Sequence, residues 1–184
     1  MIIGICGKSG SGKSTISNYL KEELRAIHCD IDKVGHNALI NEKVKKELIK
    51  NYGNDILNGN NIDRKKLGEI VFNSRLEMKK LSDITWKYMQ IEIDKFLIDN
   101  HDKLIILDWL LLPISKYFEK CDITILLDIP YEIRKERAIK RDNISEDAFN
   151  LREKASITYN NSDFDYVFNT NDNENIKRLV KTYE

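Results

Sequence analysis

Apolar residues fall along this chain in short blocks separated by longer charged stretches. Met1-Ile2-Ile3-Gly4-Ile5-Cys6 is a near-continuous apolar run, too short for a stable helix, and it reads as a buried strand. From about Lys13 the period changes, and Ile16, Tyr19, Leu20, Leu24 and Ile27 recur at the spacing of one helical face. Ala26 to Asp30 reads as a weaker second strand. Leu104 to Leu112 and Asp122 to Ile129 are Ile- and Leu-rich runs bounded by polar segments and read as strong strands, and Tyr166 to Phe168 offers a short last one. Hydrophobic strands alternating with helical patterns predict an α/β protein of three layers, with a parallel sheet of about five strands covered on both faces. The charged, helix-patterned stretch from about residue 35 to 100 is longer than a crossover requires, and it is expected to be a helical insertion within one domain spanning 1–184.

The turn after the first strand carries the strongest chemical signal. Gly7-Lys8-Ser9-Gly10-Ser11-Gly12-Lys13-Ser14 fits the phosphate-binding pattern of Gly, four residues, then Gly-Lys-Ser, between a predicted strand and a predicted helix. Glycines let the backbone curl until successive N–H groups point inward at phosphate oxygens, and the helix N-terminus adds a field that favours negative charge. The pattern makes Gly7 through Thr15 the candidate ATP-binding segment, with Lys13 reaching the β and γ phosphates and Ser14 placed to ligate Mg²⁺. The expected fold is therefore the three-layer P-loop NTPase fold.

Asp30 and Asp32 stand at the carboxyl end of the second predicted strand, where open α/β sheets hold their ligands. Either is a candidate base for the proton of an alcohol acceptor, and either is also a candidate helix cap. Asp108 lies in the Leu104 to Leu112 run, with a metal carboxylate and a turn role both open. His28, His36 and His101 form no visible cluster and read as surface or packing residues.

After Ile129, Pro130 suits a helix start, and Arg134, Arg137 and Arg141 follow on one helical face. A mobile basic helix closing over a triphosphate has this form, because planar guanidinium groups stabilise the charge of a transferring phosphoryl group. A second helix start at Ser145, before Glu146 and Asp147, bounds a helical lid over about 131–155.

Composition narrows the partners. Lys+Arg and Asp+Glu both total 30, so no global field favours nucleic acid or an anionic membrane. No apolar stretch is long enough to span a bilayer, and the N-terminus shows no basic leader or cleavage pattern, so a cytoplasmic location is expected. Three cysteines, Cys6, Cys29 and Cys121, lack metal-ligand spacing and read as reduced packing residues. A monomer is the expected assembly state.

Taken together these segments resemble the dephospho-coenzyme A kinase family. The opening strand and Gly-Ser-Gly-Lys-Ser-Thr resemble the family's P-loop, and Asp30-Ile31-Asp32-Lys33 with His36 resembles its Asp-x-Asp segment. Tyr52-Gly53 through Ile56-Leu57, Gly59 and Ile62-Asp63-Arg64-Lys65-Lys66-Leu67-Gly68 to Ile70-Val71-Phe72 is similar to its acceptor-side region. Arg137 and Arg141 match its paired lid arginines, and Asp165-Tyr166-Val167-Phe168-Asn169 resembles its final strand. The resemblance implies Mg-ATP-dependent phosphorylation of the ribose 3′-hydroxyl of dephospho-CoA. Asp32 would be the base, with Asp30, Lys13, Arg137 and Arg141 assisting. Asp32, His36, Asp63 and Arg64 would meet the acceptor, and Asn169 would lie near the adenine. The chain departs from the family in lacking its His-Pro at Ile84-Thr85-Trp86-Lys87, its Pro-Leu-Leu-Phe-Glu at Leu110 to Ile114, and its Gln after the lid. A kinase for another nucleoside-like or small-metabolite acceptor, and a non-catalytic ATP binder, are the other readings of the same loop.

Overall fold

The computed structural model describes residues 1–72 and 74–183. In chain order the regular elements are β1 (Ile2–Cys6), α1 (Lys13–Leu24), β2 (Ile27–Asp30), α2 (Ile31–Ala38), α3 (Glu42–Tyr52), β3 (Leu57–Asn58), β4 (Asn61–Ile62), α4 (Arg64–Val71), α5 (Arg75–Asp99), β5 (Ile105–Asp108), β6 (Ile123–Leu127), α6 (Tyr131–Asp142), α7 (Glu146–Ala155), β7 (Tyr166–Phe168) and α8 (Asn173–Lys181). The chain divides into two compact units, one of residues 1–30 with 99–184 and the other of residues 31–98.

The first unit is built on a five-stranded sheet in the order β2-β5-β1-β6-β7, and every pairing in it is parallel. Because successive side chains alternate between faces, Ile3 and Ile5 of β1 go one way and Gly4 and Cys6 the other. Ile3 and Ile5 join Ile106, Ile123, Ile125 and Leu127 in one cluster with Ile16 and Leu20 of α1 and Ile176 and Val180 of α8. Each such fully buried aliphatic side chain contributes roughly 1.5–3 kcal/mol relative to exposure. On the opposite face the sheet is approached so closely at Gly4 that an added Cβ would lie 2.9 Å from both Cys121 Sγ and Leu112 Cδ2.

Three expectations about element limits are corrected. The run expected to be strand from Leu104 to Leu112 is strand only from Ile105 to Asp108. Past it the chain turns at Leu111 and enters a short 3₁₀ turn, Leu112–Ile114, carrying Pro113, whose ring fixes φ and removes a ladder donor. Leu112 is nonetheless fully buried, so an apolar run here marks a buried turn. Similarly β6 ends at Leu127 instead of Ile129. Helix α1 stops at Leu24, where Arg25 takes a left-handed conformation with φ 54°, and Ile27 belongs to β2. All three cysteines are free thiols, and burial pushes Cys29 and Cys121 up to about 12.

The second unit has its own core of Val44, Leu48, Ile56, Leu67 and Val71, with Tyr52, Met78, Leu81 and Tyr88 packed against it. It is mostly helical, as its charge and periodicity predict, but it also holds a small antiparallel hairpin of β3 and β4. Gly59 sits in the turn at φ 58°, a conformation that favours glycine. Asn41 and Asp63 start α3 and α4 by accepting from the N–H groups two and three residues on.

Candidate active site

The loop from Gly7 to Ser14 joins β1 to α1 as expected. Helix α1 has no side-chain cap and no acidic residue in its first turn, and Gly12 stands at the cap position in the left-handed region, φ 88°. The first N–H groups of the helix are therefore left for a ligand, in a field that favours an anion. The loop is held tightly by its neighbours. A Cβ on Gly10 would lie 2.2 Å from the backbone oxygen of Arg134, and one on Gly12 would lie 2.7 Å from Asn171 Nδ2.

At the C-terminal end of the sheet, Asp108 of β5 is buried and accepts two hydroxyl hydrogen bonds on one oxygen. Ser14 Oγ donates to Oδ2 at 3.1 Å and Ser17 Oγ donates to it at 3.3 Å. A hydroxyl that gives its proton to a carboxylate keeps its own lone pairs for a cation. Hydroxyl and carboxylate oxygens, with no sulfur, are the donor chemistry of a hard divalent ion, and Mg²⁺ at phosphates takes few protein ligands. Among the described residues, no group of three or more His, Cys, Asp or Glu side chains stands ready to hold a metal by itself. These hydrogen bonds place Asp108 beside the start of α1 at the phosphate loop. Asp30 lies directly opposite Asp108 in the β2–β5 register and so on the same face of the sheet.

The three arginines of α6 separate into different environments. Arg134 is buried and forks onto Glu153 of α7, with both contacts at 2.9 Å, while its Nε donates to Ile129 O. It is therefore a fixed anchor between α6 and α7, contrary to its reading as one of the lid's mobile cations. Lys8 of the loop donates to the same Glu153 at 2.9 Å. Burial on its own would raise the Glu153 carboxyl, but the hydrogen bonds from Arg134 and Lys8 outweigh it and hold the group below its ordinary range. Arg137 and Arg141 are exposed. Arg137 donates to Asn171 Oδ1 at 2.5 Å, and Arg141 contacts Asp142 and lies 3.5 Å from Ser9 Oγ. Ser145 caps α7 as its sequence predicts, accepting from Ala148 N.

Sequence reasoning singled out Asn169 and missed Asn171. Asn169 is exposed just beyond β7, whereas Asn171 donates to Ser11 O at 2.8 Å and accepts from Arg137, so it joins the loop to α6. Glu153 and Ser17 were missed as well. Their signal lay in pairing across long sequence separations, which no local pattern carries.

In the second unit, Asp32 and His36 are exposed one turn apart on α2, hence on one helical face. Arg64 of α4 donates to His36 Nε2 at 2.7 Å. Arginine has no acceptor, so this His36 nitrogen must be the unprotonated one. Asp63, expected among the acceptor-side residues, uses Oδ1 to cap α4 through Lys65 N and Lys66 N.

A parallel sheet in this order, with a glycine loop feeding a helix and a serine–carboxylate pair beside it, defines a P-loop kinase. The family model for dephospho-CoA kinase matches residues 1–175. Dephospho-CoA kinase of Aquifex aeolicus is 36% identical over 189 aligned positions, covering 99% of this chain and 95% of that protein. Among solved structures, a Thermus thermophilus protein aligns with a TM-score of 0.82 at 26% identity, covering 100% of this chain and 95% of the other. Dephospho-CoA kinase from Campylobacter jejuni aligns with a TM-score of 0.59 at 25% identity, covering 99% and 95%. The chain belongs to the dephospho-CoA kinase family.

Proposed function

We propose that this protein transfers the γ-phosphoryl group of ATP to the ribose 3′-hydroxyl of dephospho-CoA, giving coenzyme A and ADP. The observation that carries the reading is the family match over residues 1–175, which includes an intact Gly7 to Ser14 loop. In the transfer, the bond from the 3′ oxygen to the γ phosphorus forms as the bond from that phosphorus to the β–γ bridging oxygen breaks. The hydroxyl proton passes to a carboxylate, for which Asp32 is the assigned base and Asp30 its neighbour.

Lys13 and the N–H groups at the start of α1 bind the phosphates and spread the charge that builds on them. Ser14 and Asp108 are the residues that would hold Mg²⁺, which would supply charge neutralisation at the β and γ phosphates. Arg137 and Arg141, on the exposed face of α6, close on the triphosphate as lid cations, with Asn171 holding Arg137 in reserve. On the acceptor side, Asp32, His36 and Arg64 meet the nucleotide of dephospho-CoA, and Asp63 sets the start of the helix that presents Arg64. The second unit thereby serves as the acceptor-binding insertion, the α6–α7 pair as the lid, and Asn169 borders the adenine pocket. A monomer in the cytoplasm suits this chemistry.

Coupled ADP production with Mg-ATP, with and without dephospho-CoA, tests the assignment, with mass spectrometry of the acceptor. A gain of one phosphate on dephospho-CoA is expected. ADP formed only with a different acceptor would overturn the substrate.

A further inference from the structure

The side chain of His28 is nine-tenths buried and yet has no role in the chemistry described so far. It projects from β2 on the same face as Asp108, because Ile106 is its register partner on β5 and Asp108 is two residues farther along. Its Nε2 makes no hydrogen bond and lies 3.4 Å from Asp108 Oδ2. That separation is just beyond the normal N–H···O range, and a small change in either side chain closes it. The oxygen it faces is the one that already accepts from Ser14 and Ser17.

A ring nitrogen in this setting is costly if left without a partner, and an apolar residue would fill the same space without that penalty. The placement is explained if the nitrogen serves the carboxylate. We propose that His28 is a positioning residue for Asp108, donating from Nε2–H to Oδ2. Three donors, from α1 and β2, then converge on one oxygen, and the plane of the carboxylate is fixed before nucleotide arrives. Residues that orient a metal-site carboxylate from behind alter metal affinity without touching substrate. This inference rests on the reading of Ser14 and Asp108 as the cation-holding pair, and it assigns no proton-transfer step to His28.

The test has two parts. In the first, ¹H–¹⁵N correlation spectra of the ligand-free protein, labelled at histidine, report the His28 tautomer. Protonation at Nε2 is expected; a ring protonated only at Nδ1 would have no donor to offer and would overturn the proposal. In the second, ATP affinity is measured calorimetrically with Mg²⁺ and with chelator for the wild type, His28→Leu and His28→Gln. In the Leu variant the gain in ATP affinity from Mg²⁺ should shrink by roughly 10-fold, with metal-free affinity unchanged, and Gln, which retains a donor, should restore most of it. An equal loss with and without metal would mark His28 as merely structural and overturn the proposal, as would a full Mg²⁺ effect in the Leu variant. Absence of any Mg²⁺ effect in the wild type would instead overturn the cation reading, and this inference with it. Should His28→Leu fail to fold, the Gln variant and the tautomer decide.

Discussion

Ser14 Oγ donates to Asp108 Oδ2 at 3.1 Å, joining the first turn of α1 to the end of β5, although the two residues lie 94 positions apart in sequence. Replacing Asp108 by Asn keeps the shape but gives up the charge and one acceptor. The expected outcome for Asp108→Asn is a fall in kcat of about 10²-fold or more, with a raised Mg²⁺ requirement. Steady-state kinetics over a Mg²⁺ titration checks this, and a normal Mg²⁺ profile would remove Asp108 from the cation site.

Lys13→Ala should abolish most phosphoryl transfer, because the lysine at this place in the loop binds the β and γ phosphates, whereas Lys8 is engaged by Glu153. Asp32→Asn should act differently. It should slow turnover by roughly 10²- to 10⁴-fold while ATP affinity stays near wild type. Single-turnover kinetics beside calorimetric ATP binding separates the two, and near-normal turnover by Asp32→Asn would move the base to Asp30 or dispense with a base.

Glu153 predicts an acid-sensitive contribution to stability. Its folded value lies below the unfolded one, so the contribution is complete above the unfolded value of 4.5 and is lost as pH falls through the lower folded value. Glu153→Gln should lower stability at pH 7 by about 1–3 kcal/mol, because Arg134 is left buried without its carboxylate. The gap between wild type and variant should then narrow as pH is lowered below 4.5. Urea denaturation across that range measures both, and a gap that stays constant would contradict the assignment.

Gly10→Ala tests how tightly the loop is clamped. The added Cβ would fall 2.2 Å from Arg134 O, a backbone atom that cannot swing aside, and Gly10 also sits at φ 80°. Destabilisation of at least about 2 kcal/mol is expected, together with weakened ATP binding. A near-neutral denaturation midpoint would show that α6 can retreat from the loop.

What could be read directly from the sequence was what the chain determines locally. The β1–loop–α1 unit, the Ser145 cap and the five strands depend on neighbours a few residues away, and each appeared in its expected order, although the runs around β5 and β6 and the end of α1 proved shorter than their apolar patterns. Arg134 could not be told from Arg137 and Arg141, since all three share one helical period; only the approach of Glu153 on the next helix decides which is buried. His28 and Asp108 were not linked because strand order is not a local property. Nothing near either residue says that β2 lies beside β5 instead of β1. Asn171 escaped for a similar reason, because its partners, Ser11 and Arg137, are remote in sequence.

That strand order also governs when the protein can assemble. Among the described residues, β1 pairs with β5 and β6, β2 pairs with β5 alone, and Ile3 finds its first sheet partner at Ile106. During synthesis the phosphate loop therefore emerges early but has no sheet to stand on until more than half the chain has followed. Residues 31–98 form a contiguous unit that can collapse on nearer contacts in the meantime. The nascent β1 strand is apolar and without its sheet partners through that interval, which exposes it to misassociation.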